Sequence, residues 1–252
     1  AAIGSSLAEL VSLIFFFVYT RLRCDRKKYG LDKAARFDIG ELKGMMPVCS
    51  WTMIQNVISL STWFIFFLYI EHLGERALAI SNITRSVSGL MWVVLQAFSA
   101  TCCTLVSNII GEGHPEKVMS LVKRILKISY GAVSVMILLF CLFPQVLARI
   151  YTDIPELISA SVPALIIMST SYFLNVGGQV FFQAVSGTGS TKTAFKLELI
   201  ALAVYMVYCT VIIEIMKADV AVCWTAEHVY AGMLLICSWV YMRSGRWKNR
   251  SI

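Results

Sequence analysis

From Ser86 to Gly111 the chain runs twenty-six residues without a formal charge. A helix rising about 1.5 Å per residue carries such a stretch about 39 Å, more than a hydrocarbon core of about 30 Å. The wider segment, Ala77 to Gly113, therefore reads as a tilted bilayer span. It is not a plain lipid-facing one. Asn82, Arg85, Ser86, Gly89, Gln96 and Ser99 stand mostly three, four or seven apart, along one helical face. An arginine inside a span costs about 2.5–3.5 kcal/mol on insertion scales, so protein or water must lie on that side. Two readings stay open: a packing seam with Arg85 reaching to the nearer surface, or a substrate or ion path.

The rest of the chain has the same character. Hydrophobic residues make up 58% and charged residues 15%, and the mean hydropathy is +0.73. A net charge of +7 in a soluble domain would suggest nucleic acid. Here the basic residues sit in short loops between apolar runs, so the partner they imply is a lipid bilayer and not nucleic acid. The chain opens at Ala1 directly into a span, which reads as the later part of a longer protein. Cys49, Cys102, Cys103, Cys141, Cys209 and Cys237 fall within apolar runs and read as buried small hydrophobes. His72, His114 and His228 are isolated near helix ends. With no Cys/His ligand spacing and no catalytic constellation, neither a metal, a cofactor nor an enzyme activity is expected.

Seven helical spans are predicted: Ile3–Tyr19, Met45–Ile70, Ala77–Ile110, Ile125–Leu147, Leu157–Val185, Phe195–Met216 and Val220–Met242. Pro47 falls in the first turn of the second, where a missing N–H does no harm. Gly111–Arg124 reads as a glycine stop followed by a short amphipathic interfacial piece. Pro163 is expected to interrupt the fifth span, and Gly177-Gly178 to loosen it. The organisation that follows is a helix over 1–20, a basic connector over 21–44, a membrane region over 45–243 and a basic tail over 244–252.

Eighteen Lys and Arg residues lie in the connector, the Gly111–Lys127 loop, the Ser186–Lys196 turn and the tail. The alternate loops hold Arg76, Arg149 and Lys217 only. Strict alternation of this kind places the connector, the glycine turns and the C-terminus in the cytoplasm.

Polar residues inside the spans mark where function can lie. Thr52, Gln55, Ser59 and Thr62 share one face of the second span, and Tyr172, Asn175, Gln179, Gln183 and Ser186 one face of the fifth. With Asn82, Arg85 and Gln96 of the third, these seams must face one another or a water-filled cavity. Glu9, Glu198 and Glu227 are in-span acids that either couple proton or sodium movement or sit at a headgroup boundary. SGTGSTKT follows a helix and lacks the GxxxxGK[ST] spacing, so it is not a phosphate loop.

ELKGMMPVCSWTMIQN, IEHLGERALAISNITRSVSGL, LVSNIIGEGHPEKVM and QAVSGTGSTKTAFKLELI together resemble the C-terminal half of the multidrug and toxic compound extrusion (MATE) transporters, and CWTAEHVYAGMLL with YMRSGRWK resembles a bacterial branch of them. The resemblance implies an all-α integral membrane protein, the six-helix C-terminal lobe of a twelve-helix transporter plus the helix before it. It implies multi-pass residence in the cytoplasmic membrane and a missing N-terminal lobe as partner. It also implies a cation-coupled antiporter driven by Na+ or H+, exporting drugs, organic cations or metabolites by rocking of two lobes about a midplane cavity. Thr52, Gln55, Asn82, Arg85, Gln96, Tyr172, Asn175, Gln179 and Gln183 would then lie on the substrate or ion pathway, with Glu9, Glu198 and Glu227 as coupling carboxylates. A sodium-coupled branch carries acids where this chain has Gln55, eight residues after Pro47, and Gly177. Other readings are a lipid-linked oligosaccharide flippase of the same superfamily and, further off, a non-transporting membrane receptor or enzyme.

Overall fold

A computed structural model describes residues 2–24 and 39–248, which leaves most of the basic connector and the end of the tail outside the described residues. The chain divides into two compact units, 1–45 and 46–252. In the first, helix α1 spans Ala2–Arg23 and closes on Arg21 and Arg23. Helix α2, Ile39–His72, begins in the first unit and runs on into the second.

The second unit is helical throughout its described length. After α2 come α3 (Glu75–Gly111), α4 (Val118–Leu142), α5 (Pro144–Arg149), α6 (Pro155–Gly187), α7 (Thr191–Cys209), α8 (Val220–Cys223) and α9 (Ala226–Ser244). Among the described residues six stretches are long and apolar enough to cross a membrane: Leu42–His72, Glu75–Gly111, Pro115–Leu142, Pro155–Gly187, Thr191–Ile215 and Val220–Ser244. Apolar side chains such as Val57, Phe64, Leu138 and Leu142 are exposed, as lipid-facing positions are.

Local departures from the expected spans each have a physical reason. Pro47 lies well inside α2 and not in its first turn, because that helix starts at Ile39. No separate interfacial helix follows Gly111. Pro115–Lys117 forms one tight 3-10 turn, and α4 then takes up Lys123 and Arg124 without a break. Phe143 ends α4, and Pro144 starts α5 at a position where proline's missing N–H is no loss. Pro163 does not interrupt α6; it is exposed, and the helix continues past it. Gly177 and Gly178 do not loosen α6 either. A Cβ on Gly178 would sit 3.0 Å from the Ala231 carbonyl oxygen, so these glycines let α9 approach closely.

α6 is the central helix and packs on α3, α4, α5, α7, α8 and α9. At its last residue it crosses α3 so closely that a Cβ on Gly187 would lie 2.6 Å from the Cys103 carbonyl oxygen. There the Ser107 hydroxyl donates to the Gly187 carbonyl at 2.9 Å. Gly189, at φ +75°, then reverses the chain into α7 in a conformation that favours glycine.

Two features near the other end were not anticipated. α7 passes into a π-helical turn over Thr210–Ile215, wider than an α turn. The final span is broken at Trp224 and Thr225, where α8, capped by Asp219 accepting from the Ala221 N–H, gives way to α9. Trp224 is fully buried. Its ring meets Phe66 edge-on at 5.3 Å, and its indole N–H donates to Ser81 Oγ at 3.2 Å. That one side chain ties α2, α3 and the break together.

Candidate functional site

α2, α3, α6, α7 and α9 line an open, apolar-walled cavity of about 370 Å³. Helical spacing explains how each reaches it. Ser59, Thr62 and Trp63 lie one turn apart on α2, Arg85, Ser88, Gly89 and Trp92 on α3, and Met168, Tyr172 and Asn175 on α6. Leu202 and Tyr205 of α7 and Glu227 and Tyr230 of α9 complete the wall.

The polar groups in this wall are held by their neighbours. The Tyr172 hydroxyl donates to the Ser88 carbonyl at 2.9 Å, joining α6 to α3. Asn175 is 3% exposed, with its amide N–H 3.4 Å from the Ser171 carbonyl. Arg85 lays its guanidinium 5.2 Å from the Phe67 ring centroid and 6.0 Å from that of Trp63. Among the described residues no carboxylate pairs with it. Aromatic faces stabilise the guanidinium electrostatically while leaving its N–H groups free.

Both acids of α7 and α9 are buried. Glu227, 8% exposed, opens α9 on the cavity wall, and its Oε1 accepts from the Tyr205 hydroxyl at 3.5 Å. Glu198, 5% exposed, lies in a crevice behind, beside Gln55, Ile58, Phe195, Leu199 and Leu202. Its Oε1 accepts from the Ser59 hydroxyl at 2.5 Å and from the Tyr230 hydroxyl at 3.4 Å. Neither acid lies at a helix end facing bulk water. Replacing Ser59 with Ala should remove the α2–α7 hydrogen bond and lower stability by about 1–2 kcal/mol, measured by thermal unfolding in detergent.

Of the residues singled out in the sequence, Ser59, Thr62, Arg85, Gly89, Tyr172, Asn175 and Glu227 line the cavity, and Gln55 and Glu198 line the crevice. Gln179 is buried and, like the half-buried Gln183, lies beyond Asn175 along α6, outside the lining. Asn82 and Gln96 are half-buried on α3 outside the lining as well. Thr52 is exposed and bonds back to the Val48 carbonyl at 3.0 Å. Glu9 is exposed on α1, in the other unit. Sequence reasoning missed Tyr205 and Tyr230. The signal was present: Tyr205 follows Glu198 by seven residues and Tyr230 follows Glu227 by three, spacings that share a helix face.

Comparison with known proteins gives concordant matches. A family model described as MatE matches residues 52–212. A protein from Thermotoga maritima described as probable multidrug resistance protein NorM is 26% identical over 208 residues, 80% of this chain and 44% of that protein. A solved structure described as a crystal structure of MATE in the straight conformation matches with a TM-score of 0.83 at 16% identity, covering 98% of this chain and 57% of that one. The chain thus spans about half the length of the proteins it matches.

Proposed function

Since the chain belongs to the MatE family, by a family match that covers residues 52–212, we propose that it supplies the C-terminal lobe of a cation-coupled exporter of organic cations. Its cargo would be drugs or metabolites, moved across the bacterial cytoplasmic membrane by rocking of two lobes. On this reading the basic loops and the C-terminus face the cytoplasm, and the N-terminal lobe lies in residues other than these. The observation that carries the reading is the cavity itself. Trp63, Trp92, Tyr172, Tyr205 and Tyr230 give it aromatic faces suited to a flat or quaternary cation, and Glu227 gives it a negative charge. A flippase for a lipid-linked diphosphate would call for several basic groups; among the described residues Arg85 is the one basic residue in the wall.

The test is efflux of a fluorescent cationic dye from vesicles holding the full-length protein, under separately imposed sodium and proton gradients. Dye movement that follows either gradient supports the exporter; no movement under both, across several dyes, sinks it. Arg85 and Gln55 give a residue-level check. Removing the positive charge with Arg85→Ala should tighten binding of a monovalent organic cation about tenfold, as expected for unit charges about 12 Å apart at an effective dielectric near 20. Gln55→Ala should alter efflux with less effect on binding, because Gln55 faces the crevice and not the cavity. If both variants bind and export as the unaltered protein does, these residues serve packing alone.

A further inference from the structure

We propose that the start of α7 and the end of α9, with Trp51 of α2 at their edge, bind the headgroup of an anionic phospholipid whose acyl chains lie along the apolar faces of the two helices. The inference goes beyond the exporter reading and needs only the membrane placement of these helices. The parts are brought together by the packing of α9 on α7. The Tyr241 hydroxyl donates to Ser190 Oγ at 3.3 Å, joining the end of α9 to the turn before α7. Arg243 and Lys192 stand two residues on from those partners, and Lys196 lies one turn further along α7. Beyond α9 the chain stays seated on this end as far as Lys248. Gly245, at φ +69°, turns it back, and the buried Trp247 packs in one cluster with Ala194 of α7 while its indole N–H donates to the Met242 carbonyl at 2.9 Å.

Three observations point to an anionic lipid. First, the bases are held but unpaired. Lys192 Nζ lies 5.4 Å from the Trp51 ring centroid, and that ring packs on Phe195 at 5.4 Å. The Arg243 guanidinium lies 5.2 Å from the Trp239 ring, and Lys248 Nζ 5.8 Å from that of Trp247. Among the described residues no carboxylate pairs with any of them. An aromatic face steadies a cation and leaves its N–H groups to a further acceptor, which a phosphate supplies. Second, the bases stand at the ends of exposed apolar stripes. Leu199 and Ile200 follow Lys196 by three and four residues, and Val240 and Ile236 precede Arg243 by three and seven. A soluble phosphate would leave those faces unused, whereas a phosphate carrying acyl chains covers both. Third, Lys123, Arg124 and Lys127 of α4 are exposed as well, yet among the described residues none lies over an aromatic ring. The bases of α7 and α9 are thus set apart from an ordinary basic helix end.

The experiment uses the full-length protein in detergent. Dioleoyl phosphatidylglycerol or dioleoyl phosphatidylcholine is titrated in, and bound lipid is counted by native mass spectrometry. Phosphatidylcholine carries the same phosphate neutralised by its own choline, so the preference between the two reports net negative charge. Phosphatidylglycerol should bind the more tightly. Each of Lys192→Gln, Lys196→Gln and Arg243→Gln should weaken it about fivefold, the worth of one base near an anionic surface, and the triple variant should bind both lipids alike. Removing Lys123, Arg124 and Lys127 together, each to Gln, takes away as much charge and should leave the preference as it was. Trp239→Leu keeps every charge but removes the ring under Arg243. It should weaken phosphatidylglycerol binding without lowering the unfolding midpoint in phosphatidylcholine, and it decides the matter where the triple variant fails to fold. A preference that survives the α7–α9 triple, or falls equally in the α4 triple, overturns the inference. Glycerol 3-phosphate, which has the charge but no chains, should not displace the lipid at matched concentration; displacement would mean a site for soluble phosphates and overturns the lipid assignment. None of these readings involves transport, so the exporter can fail while the lipid site stands, and the reverse.

Discussion

Trp224→Ala should be the most destabilising single truncation in residues 46–252, costing about 3–5 kcal/mol. Trp224 is fully buried, and its ring packs on Phe66 and Phe67 of α2 at 5.3 and 6.4 Å. Its N–H also satisfies Ser81 Oγ on α3. Alanine leaves a large void at the one point where α2, α3 and the α8–α9 break share a side chain, and it strands the Ser81 hydroxyl. Trp224→Phe should recover most of the loss, because the ring contacts remain and only the N–H is gone. Thermal unfolding of both variants in detergent checks this. Equal destabilisation would mean that the hydrogen bond, and not the packing, sets the cost.

Gly187→Val is expected to be nearly as severe, for a different reason. The nearest atoms to a Cβ there are the Cys103 carbonyl oxygen at 2.6 Å, Cys103 Cα at 3.1 Å and Val106 Cβ at 3.1 Å. Backbone cannot swing aside as the end of a flexible side chain can, so α3 and α6 must part. Overpacking of this kind costs about 1–3 kcal/mol, and a branched residue against backbone belongs at or above the top of that range. Separation would also break the Ser107 to Gly187 hydrogen bond at the glycine turn. The measurement is again the unfolding midpoint, with Gly131→Ala as control, since nothing lies within 4 Å of a Cβ at Gly131. A Gly187→Val protein as stable as that control would show that the crossing is looser than it stands here.

What could be read in advance follows from what hydropathy measures. The charge-free run from Ser86 to Gly111 falls inside one helix, α3, and the glycines after α3 and α6 close those helices. Membership of a helix depends on the local residues, and so was legible. Rotation of one helix against another is not local. Asn82 and Arg85 are both polar residues of α3, yet only Arg85 lines the cavity, and Asn175 lines it where Gln179, one turn on, does not. Tyr205 and Tyr230 sit in apolar runs, where aromatic residues pass as lipid-facing until a buried acid is found beside each hydroxyl. The break at Phe143 did leave a signal, Pro144 within an apolar run, whereas the one at Trp224 has no glycine or proline beside it to mark it.

The π turn at the end of α7 lies where two neighbouring helices fall out of step. α2 and α7 run side by side in the same direction, and matched contacts climb them like rungs: Ser59 with Glu198, Phe66 with Tyr205, Tyr69 with Thr210, His72 with Glu214. Between the first two rungs each helix spends seven residues. From there to the last rung α2 spends six and α7 nine. Two of the three surplus residues fall between Tyr205 and Thr210 and the third within the wide turn, all above Tyr205, so the part of α7 that carries the two lower rungs keeps step with α2. Residues gained or lost along the outer turn of α7 would therefore be absorbed there, as slack in a rope is taken up at one knot, while the acids below hold their places.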